Sequence, residues 1–173
     1  VGSEMCIRDR KNVTLSNFNV KLANSKPDAG YPYEGPVEHL PRNISPASII
    51  GLPEDRIQGI TLKNIDIESP GGGNPFYAKC GLTAKELEGI PEMRTAYPEF
   101  SQFKELPAWG IFIRHADDIR LDNVKLKVHS LDYRPAIVTS DVQGVILEEV
   151  DVQPTPNDKR EQFFMYKTFN VTK

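Results

Sequence analysis

The sequence predicts an all-β fold built as a parallel solenoid, and three observations lead there. Four ten-residue stretches align without gaps: KNVTLSNFNV from Lys11, QGITLKNIDI from Gln58, DDIRLDNVKL from Asp117 and QGVILEEVDV from Gln143. Within each, the apolar positions are spaced two, three and two apart, so a strand alternation slips phase by one residue and resumes. A further pair, WGIFIRH at 109–115 and PAIVTSD at 135–141, recurs at the 26-residue offset that separates the last two copies. Strands that return once per coil and stack on their own copies describe a solenoid, in which each coil contacts only its neighbours.

The chain opens with VGSEMCIRDR, which has no apolar period and is too short and polar for a signal-peptide core. Met5 to Asp9 back-translate readily to ATG TGT ATA AGA GAC, which resembles a transposon-end adapter of sequencing libraries. Residues 1–10 are therefore read as an artefact and set aside. The first repeat follows at Lys11. Next comes KPDAGYPYEGPVEHLP, where fixed φ angles and missing N–H groups preclude a regular ladder, so a long loop is expected near 22–46. PASIIGL at 46–52 fits the strand that precedes a corner, and the second repeat leads into SPGGGNP and a second long loop near 70–107. Inside it TAKELEG predicts one short helix, with Thr83 as N-cap, Glu86 as its capping-box partner and Gly89 at the stop.

The four repeats align in four apolar columns: Val13, Ile60, Ile119 and Val145; Leu15, Leu62, Leu121 and Leu147; Phe18, Ile65, Val124 and Val150; Val20, Ile67, Leu126 and Val152. A slip that keeps both halves of a strand facing one core is a corner. Asn17, Asn64 and Asn123 occupy it, where the backbone must tolerate the left-handed region and stacked amides can bond along a ladder. Glu149 interrupts that ladder. Successive copies are 47, 59 and 26 residues apart, so the first two gaps hold the two long loops beyond one coil of 26. The same offset carries Ile137 to Phe163 in QFFMYK and suggests a further strand before the chain ends. A leucine-rich repeat is excluded because it needs Asn three residues after the last apolar position, where Ala23, Pro70, His129 and Thr155 stand instead.

Composition narrows the functional classes. With 21 basic and 24 acidic residues and a net charge of −3, the chain offers no basic surface for nucleic acid or an acidic membrane. No apolar stretch approaches the ~18 residues that a membrane span requires. Cys6 falls in the leader and Cys80 in a loop, so neither a disulfide framework nor a metal-ligand spacing is present, and no metal or cofactor is expected.

Three stretches, PASIIGLPEDRIQGITLKNIDIESPGGG, YPEFSQFKELPAWGIFIRHADDIRLDNVKL and DYRPAIVTSDVQGVILEEV, together resemble the C-terminal coils of bacterial polygalacturonase-like enzymes of glycoside hydrolase family 28. The likeness spans roughly residues 11 to 152, and YPEFSQFKELPAWG followed by a G-I-x-I-R strand is its most specific part. It implies a right-handed parallel β-helix of about four to five coils, with residues 11–173 as the C-terminal part of one domain. It also implies secretion or a periplasmic address, and inverting hydrolysis of galacturonosyl or rhamnogalacturonan linkages in pectin. In that chemistry one carboxylic acid protonates the leaving oxygen while another activates water across a cleft.

The family's signature is N-T-D, D-D, G-H-G and R-I-K. N-T-D and G-H-G are absent from this chain. Asp117 and Asp118 form a D-D pair, but the repeat sets them level with Gln58-Gly59 and Gln143-Gly144, which are turn positions expected to be solvated. Arg56-Ile57-Gln58 mimics R-I-K with Gln for Lys, and Gly110-Ile111-Phe112-Ile113-Arg114 has Phe112 where the family's substrate-binding Arg stands. No catalytic residue is therefore assigned. The expectation is a fragment whose catalytic coils precede residue 11, inactive by itself, with a pectin-type polysaccharide or oligogalacturonide as the parent enzyme's substrate.

Four residues are candidates for substrate contact. Arg114 alternates outward if Ile111 and Ile113 point in, and His115 follows that strand, so both suit a galacturonate carboxylate at the edge of the groove through charge-assisted hydrogen bonds. Tyr97 and Trp109, in or beside the second loop, offer aromatic faces for sugar rings or anchors for the loop. The alternative, from another class, is a non-catalytic carbohydrate-binding β-solenoid, which would need a capped first coil. A β-helix lyase or epimerase would need outward carboxylates in one column, where Ser16, Lys63, Asp122 and Glu148 stand.

Overall fold

A computed structural model describes residues 11–22, 46–72, 82–92, 94 and 106–173. The leader at 1–10, Tyr97, Cys80 and most of the two long loops lie outside the described residues. The described part is all-β apart from one short helix. Its strands are β1 (Lys11–Lys21), β2 (Ala47–Ile50), β3 (Ile57–Ser69), β4 (Ile111–Val128), β5 (Ile137–Gln153) and β6 (Phe163–Thr172), and α1 spans Ala84–Glu88. All six strands join one sheet in the order β1-β3-β4-β5-β6, with β2 also on β4, and every ladder is parallel.

The register reproduces the four apolar columns. Leu15 pairs Leu62, Leu62 pairs Leu121, and Leu121 pairs Leu147, and the columns starting at Val13, Phe18 and Val20 run in the same way. Ile111 pairs Ile137 and Ile137 pairs Phe163, as the 26-residue offset predicts, while Ala47 pairs Ile111. Burial follows the columns: Leu121, Val124 and Leu126 are fully enclosed, and Val13, Leu15, Phe18 and Val20 on the outer strand β1 stay 36–50% exposed because nothing described covers them. Lys173 reaches back over the Phe163 ring, 5.0 Å from its centroid.

Long strands can bend this way because the bends occupy fixed columns. Asn17, Asn64, Asn123 and Glu149 all have φ between 50 and 61°. Their amides bond in series, Asn123 Nδ2 donating to Asn64 Oδ1 at 2.8 Å and Asn64 Nδ2 to Asn17 Oδ1 at 3.0 Å. A second bend column, at the turn positions where the repeat sets Gly59, Asp118 and Gly144 level, also holds Asn12 and Asn170, again with positive φ. Gly144, at φ 75°, takes the left-handed backbone of this column without the strain a Cβ would bring. A third holds His115, Asp141 and Lys167. Replacing Asn64 by Ala removes both rungs of the ladder and leaves a left-handed residue without its local compensation. The expected loss is about 1–2 kcal/mol, read from urea unfolding, with Asn64→Gly recovering part of it.

Helix α1 forms as its capping residues predict. The Thr83 side chain accepts from the Glu86 N–H, the Glu86 carboxylate accepts from the Thr83 N–H, and Gly89 closes the end. Leu87 is fully buried and anchors the helix on Phe112 and Val138, outward-facing residues of β4 and β5, together with Leu106 and Ala108. That contact brings Ile90 and Glu92 to the bend between the two halves of β4.

Candidate functional site

The third bend column carries chemistry. Left-handed backbone at His115 (φ 50°) and Asp141 (φ 57°) brings both side chains to one bend, where Arg56, Glu92, Arg114 and Asp117 meet them. The Arg56 guanidinium binds Asp117 with Nε at 3.0 Å and Nη2 at 2.8 Å, and reaches Asp141 Oδ2 with Nη1 at 2.6 Å. Nη2 also stands 3.0 Å from the Ala116 and Asp141 carbonyl oxygens, so one Arg ties the loop after β2 to two successive strands.

His115 lies between two carboxylates, Nδ1 being 2.7 Å from Asp141 Oδ2 and Nε2 3.0 Å from Glu92 Oε1. A neutral imidazole carries one N–H and can donate to only one of them; both contacts are complete when the ring carries two protons. Arg114 donates through Nη1 to the Ile90 carbonyl at 2.7 Å and through Nη2 to Glu92 Oε1 at 2.8 Å. Arg114 and His115 thus converge on a single oxygen of Glu92.

Electrostatics separate the two arginines. For Arg56 the hydrogen bond to Asp117 dominates and, with Asp141, outweighs burial and raises its pKa. For Arg114 burial dominates over the attraction of Glu92 and Asp141, and its pKa is lowered. Asp141 feels burial pushing its carboxyl up, but the hydrogen bonds from His115 and Arg56 prevail and hold it below the usual range. Asp158 is likewise held down, first by its hydrogen bond from Arg160.

A carboxylate whose pKa is depressed by folding adds stability that is fully present above its unfolded value and is lost as pH falls through the folded one. The urea midpoint is therefore expected to drop between about pH 4 and pH 2, and Asp141→Asn to flatten part of that slope. A midpoint independent of pH across this window would contradict the assignment. Asp141 is 38% exposed, so solvent screening keeps its share small.

The structure brings Arg114 and His115 together and places Trp109 elsewhere. Arg114 and His115 are 5% and 7% exposed, Arg114 turned away from the inner core as the alternation predicts and His115 placed by its left-handed bend, and Glu92 contacts both. Trp109 is 1% exposed within the core, its Nε1 donating to Gln162 Oε1 at 3.3 Å, so its ring packs and presents no face to a sugar. Tyr97 lies outside the described residues. Of the D-D pair, Asp118 is exposed at a bend as expected. Asp117 departs from the solvated-turn reading, because Arg56 from the segment between β2 and β3 takes its carboxylate.

Sequence reasoning missed Glu92, Arg56 and Asp141 as members of this site. Asp141 was within reach, since it stands one coil offset of 26 after His115 and so shares its bend. Among the described residues no three His, Cys, Asp or Glu side chains gather to hold a metal, and no helix is long and apolar enough to cross a membrane. Comparison with family models, with curated proteins and with solved structures finds no match for this chain.

Proposed function

We propose that this chain forms C-terminal coils of a right-handed parallel β-helix from a pectin-degrading, polygalacturonase-like glycoside hydrolase. Its part is to extend the substrate-binding side of the helix, without the catalytic carboxylates. The observation that carries the reading is the parallel, in-register stacking of the repeats with left-handed bends in fixed columns and an asparagine ladder at one of them. Bends that recur at the same height in every strand are what turn a parallel ladder into a coil.

The carboxylates support the inactive part of the reading. Inverting hydrolysis needs one acid and one base standing free across a cleft, about 6.5–9.5 Å apart. Asp117, Asp141 and Glu92 are each bound to Arg or His instead. Reducing-sugar release from polygalacturonate by the purified chain tests this. No turnover is expected, and turnover abolished by Asp118→Asn would overturn the reading.

A further inference from the structure

We propose that Arg114 and His115 form a binding site for a ligand carboxylate, and that Glu92 of the same chain occupies it as a displaceable stand-in. The geometry is that of an anion site. Arg114 Nη2 and His115 Nε2 approach one oxygen, Glu92 Oε1, from two directions at 2.8 and 3.0 Å. Both atoms belong to side chains more than nine-tenths buried on β4, and Asp141 Oδ2 holds the far side of the His115 ring at 2.7 Å.

The fit of Glu92 is incomplete in a way that points to another occupant. Arg114 Nε is buried and bonds to nothing described, and so is Glu92 Oε2. An arginine takes a carboxylate best through two parallel bonds, and here Glu92 uses one oxygen and leaves the Nε edge empty. A buried cation short of its hydrogen bonds is costly in a structural ion pair, and sites of this kind cluster where ligands bind. Glu92 is also well placed to leave. Its segment is anchored by Leu87 in the apolar cluster and by Glu88 bonded to Tyr166 and Lys167, so its side chain can swing out while α1 stays seated.

A carboxylate that enters by Nε and Nη2 would satisfy the empty donor and return Glu92 to water. The ligand class is a carboxylated sugar or a smaller carboxylate, and the choice of galacturonate as the sugar rests on the function proposed above. An internal carboxylate competes at the millimolar effective concentration of a short tether, so its removal is expected to tighten binding by roughly tenfold or more.

Isothermal titration of the full chain and of Glu92→Gln and Glu92→Ala with galacturonate, acetate and galactose tests this. Either Glu92 variant that retains the parent's melting transition is expected to bind galacturonate and acetate at least about tenfold tighter than the parent, and not galactose. Adding Arg114→Lys, which keeps the charge but loses the fork, is expected to abolish the gain. Glu92→Gln keeps the side chain's shape and carries the test if Glu92→Ala does not fold. Acetate binding without galacturonate binding would uphold the site and count against the pectin reading. Galacturonate binding that is equal in parent and Glu92→Gln and survives Arg114→Lys would overturn the site while leaving the pectin reading intact. No binding of either carboxylate by folded Glu92→Gln overturns the site outright.

Discussion

Replacing Asp132 by alanine is expected to cost about 3–5 kcal/mol, the range for removing one partner of a buried ion pair. Asp132 and Arg134 have side chains 0% and 1% exposed, and the guanidinium grips the carboxylate with two bonds, Nε to Oδ1 at 2.9 Å and Nη2 to Oδ2 at 2.8 Å. The Arg134 N–H also donates to Oδ1, and Nη1 donates to the Leu106 carbonyl. One carboxylate therefore shapes the turn that feeds β5 and ties it to the chain entering β4. Without it a buried cation loses the carboxylate that grips it with two bonds.

Equilibrium urea unfolding reads the loss directly. The pair's own worth is a separate quantity, because desolvating two charges offsets much of their attraction. A double replacement, Asp132→Leu with Arg134→Met, is accordingly expected to lose much less than Asp132→Ala. If the single variant lost under 1 kcal/mol, the turn would not depend on this pair.

Leu121→Ala is the second large effect, at about 2–5 kcal/mol. Leu121 is fully buried at the middle of its column, paired to Leu62 on one side and Leu147 on the other. Backbone ladders hold the neighbouring strands at fixed spacing, so they cannot close on the space that the side chain leaves. The contrast within the column is the sharper check. Leu15→Ala, at a position 45% exposed on the outer strand, is expected to cost well under half as much in the same measurement. Equal losses at the two positions would mean that burial does not grade along the column.

The same gradation bears on the carboxylate site. His115, Arg114 and Asp141 stand on β4 and β5, whose inner columns include the most enclosed residues, and the site inherits its rigidity from them. A variant that loosens Leu121 should therefore weaken carboxylate binding less than it weakens global stability, because the bend itself is held by Arg56 and Asp141.

Much of the architecture was determined by the sequence alone, and the reason is the arithmetic of repeats. A parallel ladder puts like positions level, so four aligned columns and one offset fixed the pairing of Leu62 with Leu121 and of Ile137 with Phe163. The asparagine bend was legible because Asn is suited to left-handed backbone, and the α1 caps because Thr83 and Glu86 act on neighbours three residues away. What only the tertiary structure decided is what covers the outer face of β4. Trp109 could have faced solvent or core, and the burial of Arg114 and His115 depends on where an irregular segment lays Glu92. That placement follows from Leu87 finding the Phe112 and Val138 patch, a contact between residues far apart in the chain with no period to announce it. Repetition makes a local pattern global, whereas a site closed by a loop depends on packing that no local pattern encodes.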